Sequence, residues 1–283
     1  MLNGCAYILT VDVGNTFIRF GLFAEDSAAA QERPLATCEI TTPARITADE
    51  ARMRLAQVMG ALAADAGVPG VLVPGAAVLS CVVPALERPW KAALSRSCTG
   101  RVLTVGPGLK TGMPVHYDDP AEIGPDRIAD AVAARAVYGS PCIVIDLGTT
   151  TNIEVIDAHG TFVGGVIAPG LALGARSLSA AAARLPQVEP SAPTRVIGRN
   201  TREAMRSGVV LGEVARIDGM LDMVLAEMRA TKAAGEGDVP IVITGDDAEA
   251  LAALVGHSLT VDDALTLRGL AELYHINQKP RRA

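Results

Sequence analysis

The chain is 283 residues long, carries a formal net charge of −6, and is 49% hydrophobic but only 3% aromatic. At roughly 100–200 residues per domain that length allows two domains, with cores built from Ala, Val, Leu and Ile. The acidic balance excludes the row of cations that sequence-independent nucleic-acid binding requires, and no uninterrupted apolar run reaches the ~18 residues of a membrane span.

Taken in chain order, residues 6–13 predict a buried strand and 17–24 its hairpin partner. A turn or loop at 27–33 leads to a third strand at 35–40. Helical periodicity runs over 48–66 and stops at Gly67 and Pro69. A strand at 76–83 is followed by a helix that Pro84 opens, and a further strand at 101–105 by a Gly-, Pro- and Asp-rich loop at 106–120. Residues 125–138 predict a helix, after which the pattern restarts. Strands at 142–146, 152–157 and 160–167 precede a helix at 169–184, a Pro-rich loop at 185–195 and one long helical stretch at 202–229. A strand at 240–244 and helices at 248–254 and 263–274 close the chain. Strands before helices in both halves predict two similar α/β lobes with mixed sheets, residues 1–138 and 139–283.

The restart repeats a phrase. Asp-Val-Gly-Asn-Thr at 12–16 and Asp-Leu-Gly-Thr-Thr at 146–150 each sit between two β-rich runs. In such a turn Gly14 and Gly148 can take positive φ, and consecutive N–H groups form an anion-binding concavity. Asn15, Thr16, Thr149 and Thr150 add neutral donors, and Asp12 and Asp146 can each hold a cation or its water. The pair suits a phosphate–metal clamp gripping a nucleoside triphosphate from both sides. A single copy would equally be good hairpin chemistry; the matched contexts of two copies favour the clamp.

Other motifs fail. Gly-Pro-Gly-Leu-Lys-Thr at 106–111 lacks the Gly before Lys110 that a Walker loop needs. No Gly-x-Gly-x-x-Gly follows the first strand. Histidines 116, 159, 257 and 275 have no ligand spacing. The cysteines, at 5, 38, 81, 98 and 142, are odd in number and form no C-x-x-C pair, the usage of reduced thiols in a cytoplasmic protein. The basic cluster at 279–282 reads as a solubilising tail.

With these residues in hand, nearly the whole chain resembles the bacterial type III pantothenate kinases, of the acetate/sugar kinase and actin superfamily. The carrying motifs, in order, are DVGNT (12–16), SCVVP (80–84), GLKTGMPVHYDDPAEIGPDR (108–127), DLGTTT (146–151), GGVIAPG (164–170), AARLPQVE (182–189) and IGRNTREAMRSGVVLG (197–212). The resemblance implies two duplicated ribonuclease-H-like lobes flanked by helices, as in actin-like ATPases. It implies ATP-dependent phosphorylation of pantothenate to 4′-phosphopantothenate, the first step of coenzyme A biosynthesis.

The same resemblance implies site residues. Asp126 is the general base; Tyr117, Gly124, Pro125, Arg127 and Thr201 hold pantothenate, Thr201 from near a homodimer interface. Asp12, Val13, Gly14, Asn15, Thr16, Phe17, Ile18, Arg19 and Thr149 surround ATP. Asp146 takes a monovalent cation, K⁺ or NH₄⁺, and Asp12 takes Mg²⁺, directly or through water. Read without the family, Asp126 is also favourable in the first turn of a helix, and Asn200 with Glu203 fits a helix cap that makes Thr201 a first-turn residue. Three departures stand out: Thr-Gly-Asp-Asp at 244–247 where the family has a Gly-rich run, Thr150 and Asn152 in the second phrase, and Phe17 and Arg19 after the first. They leave two alternatives open: a non-catalytic regulatory homologue of the same fold, and a superfamily phosphotransferase with a different substrate.

Overall fold

The computed structural model describes residues 7–25 and 32–278. Residue 6 of the first expected strand, residues 27–31 of the expected turn and the basic cluster at 279–282 lie outside them. The chain divides into two compact units, Met1–Val137 with Ala264–Ala283, and Tyr138–Asp263.

In the first unit β1 (Tyr7–Val13), β2 (Phe17–Ala24), β3 (Ala36–Thr41), β4 (Ala76–Cys81) and β5 (Val102–Thr104) form one sheet in the order β3-β2-β1-β4-β5. β1 is antiparallel to β2 and parallel to β4, so this is a mixed sheet with β1 at its centre. Strand alternation sends Leu9, Val11 and Val13 to one face, where Ile18, Phe20 and Leu22 join them. α1 (Ala48–Asp65) and α2 (Pro84–Ser97) cover that face with Leu55, Leu62, Leu86 and a fully buried Trp90 whose ring lies 5.6 Å from that of Phe20. α1 starts where it does because Thr47 and Glu50 form a reciprocal capping box. α3 (Pro125–Tyr138) begins with Pro at its first position, which loses no helical hydrogen bond there.

The second unit repeats the plan. β6 (Cys142–Leu147), β7 (Thr150–Ile156), β8 (Phe162–Pro169), β9 (Ile241–Gly245) and β10 (Thr260–Val261) pair in the order β10-β9-β6-β7-β8. β6 is antiparallel to β7 and parallel to β9. Counted from its own first strand, each sheet reads 3-2-1-4-5, the ribonuclease-H-like order. Around it lie α4 (Leu171–Ala181), α5 (Thr201–Arg206), α6 (Gly212–Ala230) and α7 (Ala248–Ala252). α6 lays Val214, Ile217, Leu221 and Leu225 on Ile143, Ile145, Ile153 and Ile243. The single helix expected at 202–229 is interrupted by a π-helical turn at Ser207–Leu211, and the helix expected at 169–184 is shorter.

One assignment changes. The sequence gives all of 139–283 to the second lobe, but α8 (Leu265–Ile276) belongs to the first unit. It packs on β1, β2 and β4, on the face opposite α1 and α2. Leu267 reaches the Gly21 position, and α8 meets α3 so closely that a Cβ on Gly269 would lie 1.9 Å from Ala129 O. Helical periodicity marks the helix but says nothing of which sheet its apolar face will find.

Candidate active site

Asp12 stands one residue before the end of β1, opposite Arg19 of β2 and Ser80 of β4. It is 8% exposed, and its Oδ1 has no hydrogen-bond partner. Burial raises the carboxyl from an ordinary 3.8 to about 6; the charge of Asp126 adds to the rise, while the Ser80 hydroxyl and the Arg19 guanidinium oppose it. Arg19 is itself held across the sheet by Glu39, Nε to Oε2 at 3.0 Å, with its guanidinium 6.0 Å from the Phe17 ring centroid. Gly14 N–H donates to Phe17 O at 3.0 Å, closing the turn, and Thr42 Oγ1 donates to Gly14 O at 2.8 Å. Asn15 and Thr16 are exposed at its tip, while Val13 and Ile18 point into the core.

Neither Gly14 nor Gly148 takes positive φ, contrary to expectation. Gly14 is needed for space instead, since a Cβ there would meet Phe17 O at 3.0 Å. The left-handed conformation falls on Gly245, with φ +90.

Asp126 lies in the first turn of α3. Arg127 N–H donates to its Oδ1 at 2.8 Å. Burial raises the Asp126 carboxyl, and the Arg127 N–H and guanidinium restrain the rise. Arg127 is 5% exposed. Asp12 and Asp126 thus feel each other within one unit, two desolvated carboxylates of which one has an unused lone pair. The same unit holds a cavity of about 410 Å³, walled by Cys81, Leu109, Met113, Ile123, Ile128 and Pro125, the residue before Asp126; neither carboxylate lines it. Tyr117 is half-buried on the loop between Met113 and Pro125.

In the second unit Asp146 occupies the place of Asp12, opposite Asn152 and Thr244 as Asp12 is opposite Arg19 and Ser80. The copies differ by one residue: Asp12 and Arg19 are seven apart, Asp146 and Asn152 six. The shorter turn is braced from outside. Thr151 Oγ1 donates to Glu213 Oε1 at 2.6 Å, Arg216 pairs with Glu213 and donates to Pro169 O at 2.6 Å, and Gly170 N–H donates to Thr149 O at 3.0 Å. At Gly245 a Cβ would lie 2.7 Å from Asp146 Oδ1 and 2.1 Å from Leu147 O, so only glycine leaves the space beside that carboxylate open. The adjoining Asp246 donates its N–H to Leu147 O at 2.6 Å, and Asp247, at φ +58, starts α7.

Thr201 is exposed at the first position of α5. Asn200 caps that helix, accepting from Glu203 N at 2.9 Å, and Glu203 accepts in turn from Arg199 N at 2.9 Å. Sequence reading quoted Ser80 in the SCVVP run without giving it a role, and passed over Glu213. The place of Ser80 beside Asp12 follows only from the parallel pairing of β4 with β1; Glu213 carried no motif signal. Among the described residues no group of three or more His, Cys, Asp and Glu could hold a metal, and no helix is long and apolar enough to cross a membrane.

A family model described as type III pantothenate kinase matches residues 8–223. The type III pantothenate kinase of Koribacter versatilis is 38% identical over 279 residues, 97% of each chain. That of Nocardia farcinica is 41% identical over 281 residues, 97% of this chain and 99% of its own. Among solved structures, one described as a Baf family transcriptional activator from Campylobacter jejuni has a TM-score of 0.56 at 18% identity, over 95% of this chain and 98% of that one. The ethanolamine utilization protein EutJ from Carboxydothermus hydrogenoformans has a TM-score of 0.53 at 16% identity, over 94% and 89%. At such identities these two likenesses are of fold alone. The family model covers most of the sequence and the curated relatives align end to end, and on that ground the chain belongs to the type III pantothenate kinase family.

Proposed function

We propose that the protein transfers the γ-phosphoryl group of ATP to the primary hydroxyl of pantothenate, giving 4′-phosphopantothenate for coenzyme A biosynthesis in the cytoplasm. The observation that carries the mechanism is the pairing of Asp12 and Asp126 in one unit, which also holds a cavity large enough for a small acceptor and walled in part by Pro125, the residue before Asp126. Asp126 accepts the hydroxyl proton as the phosphoryl group transfers. Its raised pKa makes it a better base than an ordinary surface carboxylate. Arg127, with Tyr117, Gly124 and Pro125, orients the acceptor. The turn at 12–19 binds the nucleotide phosphates through N–H and hydroxyl donors.

The metals fit residues that are present. The unpartnered Asp12 Oδ1 suits Mg²⁺ or one of its waters. Bound Mg²⁺ supplies charge neutralisation on the phosphates. Asp146, with the space that Gly245 leaves open, suits K⁺ or NH₄⁺. A homodimer is supported by apolar exposure near Thr201: Val196 is 72% and Ile197 82% exposed, and in α4 Leu173 and Leu178 are exposed while only Ala175 is buried.

The test is direct. Purified protein with Mg·ATP, K⁺ and pantothenate should yield 4′-phosphopantothenate by mass spectrometry; no product together with no ATP binding would overturn the reading. Asp126→Asn should lower turnover by about 10²–10⁴-fold with an unchanged melting temperature, and near-normal turnover would refute the assigned base. If Na⁺ serves as well as K⁺, the role given to Asp146 is wrong.

A further inference from the structure

The Gly-Pro-Gly-Leu-Lys-Thr run that fails the Walker spacing lines the cavity that Pro125, the residue before Asp126, also walls. Leu109, Thr111 and Met113 wall it from one side, and Pro125 and Ile128 from the other. The run has no regular secondary structure of its own, so something else must hold it.

Three ties do, all within the first unit. Asn277, just past the end of α8, pairs its side-chain amide with the backbone of Lys110. Lys110 N–H donates to Asn277 Oδ1 at 3.2 Å, and Asn277 Nδ2 donates to Lys110 O at 2.8 Å. The amide is fixed on its own side by a bond from Nδ2 to Leu273 O at 2.8 Å, and the Asn277 carbonyl accepts from Arg101 Nη1 at 3.1 Å. Two residues further along the loop, Arg135 of α3 donates to Gly112 O at 2.6 Å. Gly112, at φ +71, lies so near α8 that a Cβ would stand 2.9 Å from Ile276 Cδ1.

We propose that Asn277 is a positioning residue for the acceptor: it holds Lys110, and through it the Leu109–Met113 wall, so the end of the last helix sets the shape of the acceptor cavity. The inference rests on the reading that this cavity receives the alcohol substrate for proton transfer to Asp126. A loop with glycines at 106, 108 and 112 has many conformations to lose on binding. Fixing it beforehand lowers the ordering penalty of acceptor binding and leaves the proton transfer at Asp126 untouched. Asn277 therefore acts on acceptor KM rather than on kcat.

Two variants, Asn277→Ala and Arg135→Ala, are compared with the wild type by two measurements. The first is the rate of tryptic cleavage after Lys110, an exposed site that reports loop opening without any turnover. The second is steady-state kinetics with pantothenate and ATP varied separately. Each variant should be cut faster at Lys110. Each should raise pantothenate KM by roughly three- to tenfold, the scale of a net hydrogen bond or two, with ATP KM and kcat within about twofold of wild type. The double variant should fall short of the product of the two, because both act on one loop. Unchanged cleavage at Lys110 in both variants overturns the clamp. Faster cleavage with an unmoved pantothenate KM, or an equal rise in ATP KM, overturns the acceptor role while leaving the kinase reading intact. A wild type inactive toward pantothenate overturns that reading and this role together, and the cleavage assay separates that failure from failure of the clamp.

Discussion

Gly124 and Asp126 sit so close that a Cβ on the glycine would lie 2.3 Å from Asp126 Oδ1, the same oxygen that accepts from Arg127 N–H. Gly124→Ala therefore turns the carboxylate away from the position that the helix start gives it. Misplacing a reacting group by about 1 Å costs on the order of 10²-fold in rate. The expected outcome is that loss in kcat with melting shifted by only a few degrees. Wild-type turnover in Gly124→Ala would mean that the position of this carboxylate does not matter to the reaction.

The raised carboxyl of Asp12 makes a signed prediction for the protein free of metal and nucleotide. Its folded-state pKa, about 6, lies above its ordinary 3.8, so between those values the folded chain binds more protons than the unfolded one. The stability contributed by this group is complete below the lower value and is lost as pH rises through the upper. Asp12→Asn, which keeps the shape without the ionisation, should flatten this part of the stability–pH curve in denaturant titrations from pH 4 to 7. An unchanged slope would show that Asp12 does not titrate in that window.

At Gly245 two constraints coincide, φ +90 and the crowding by Asp146 Oδ1 and Leu147 O. Gly245→Ala should destabilise by more than about 1 kcal/mol and raise the K⁺ concentration needed for half-maximal activity. A melting curve and a K⁺ titration check both halves; an alanine variant that melts and responds to K⁺ like the wild type would count against the cation site.

Burial pushes the thiols of Cys81 and Cys98 up to about 11. At pH 8 only about a thousandth of such a thiol is thiolate, the reactive form. Alkylation of the native protein, mapped by peptide, should be much slower at both cysteines than in urea. Rapid native labelling of Cys81 would mean that the cavity wall it belongs to opens readily.

Much of the candidate site has a sequence signal because its residues lie where strands end. The repeated Asp-x-Gly-x-Thr marked β1–β2 and β6–β7, and the Gly-Pro-Asp-Arg run marked the start of α3, since a hairpin turn and a Pro-led helix are local events written in adjacent residues. What escaped depends on distance along the chain. Ser80 comes beside Asp12 only through parallel pairing of β4 with β1, and Glu213 reaches Thr151 across 62 residues. β10 is two residues long, too short for any period to show. The π-turn at Ser207–Leu211 escaped because its apolar residues keep helical spacing on either side. The one residue missing from the second turn shows only once the register of Asp146 against Asn152 is fixed.

The placement of α8 also governs the order in which the protein can be built. The unit from Tyr138 to Asp263 is one uninterrupted segment, so it has all its parts while the ribosome is still translating. The first unit, although its five strands emerge earliest, lacks the packing of α8 on β1, β2 and β4 until that helix has been made. Domains usually fold N-terminal first during synthesis; here the unit made second has all its segments before the first unit does. The same helix carries Asn277 to the Lys110 loop, so the wall of the cavity at 109–113 is tied down only after α8 has been made.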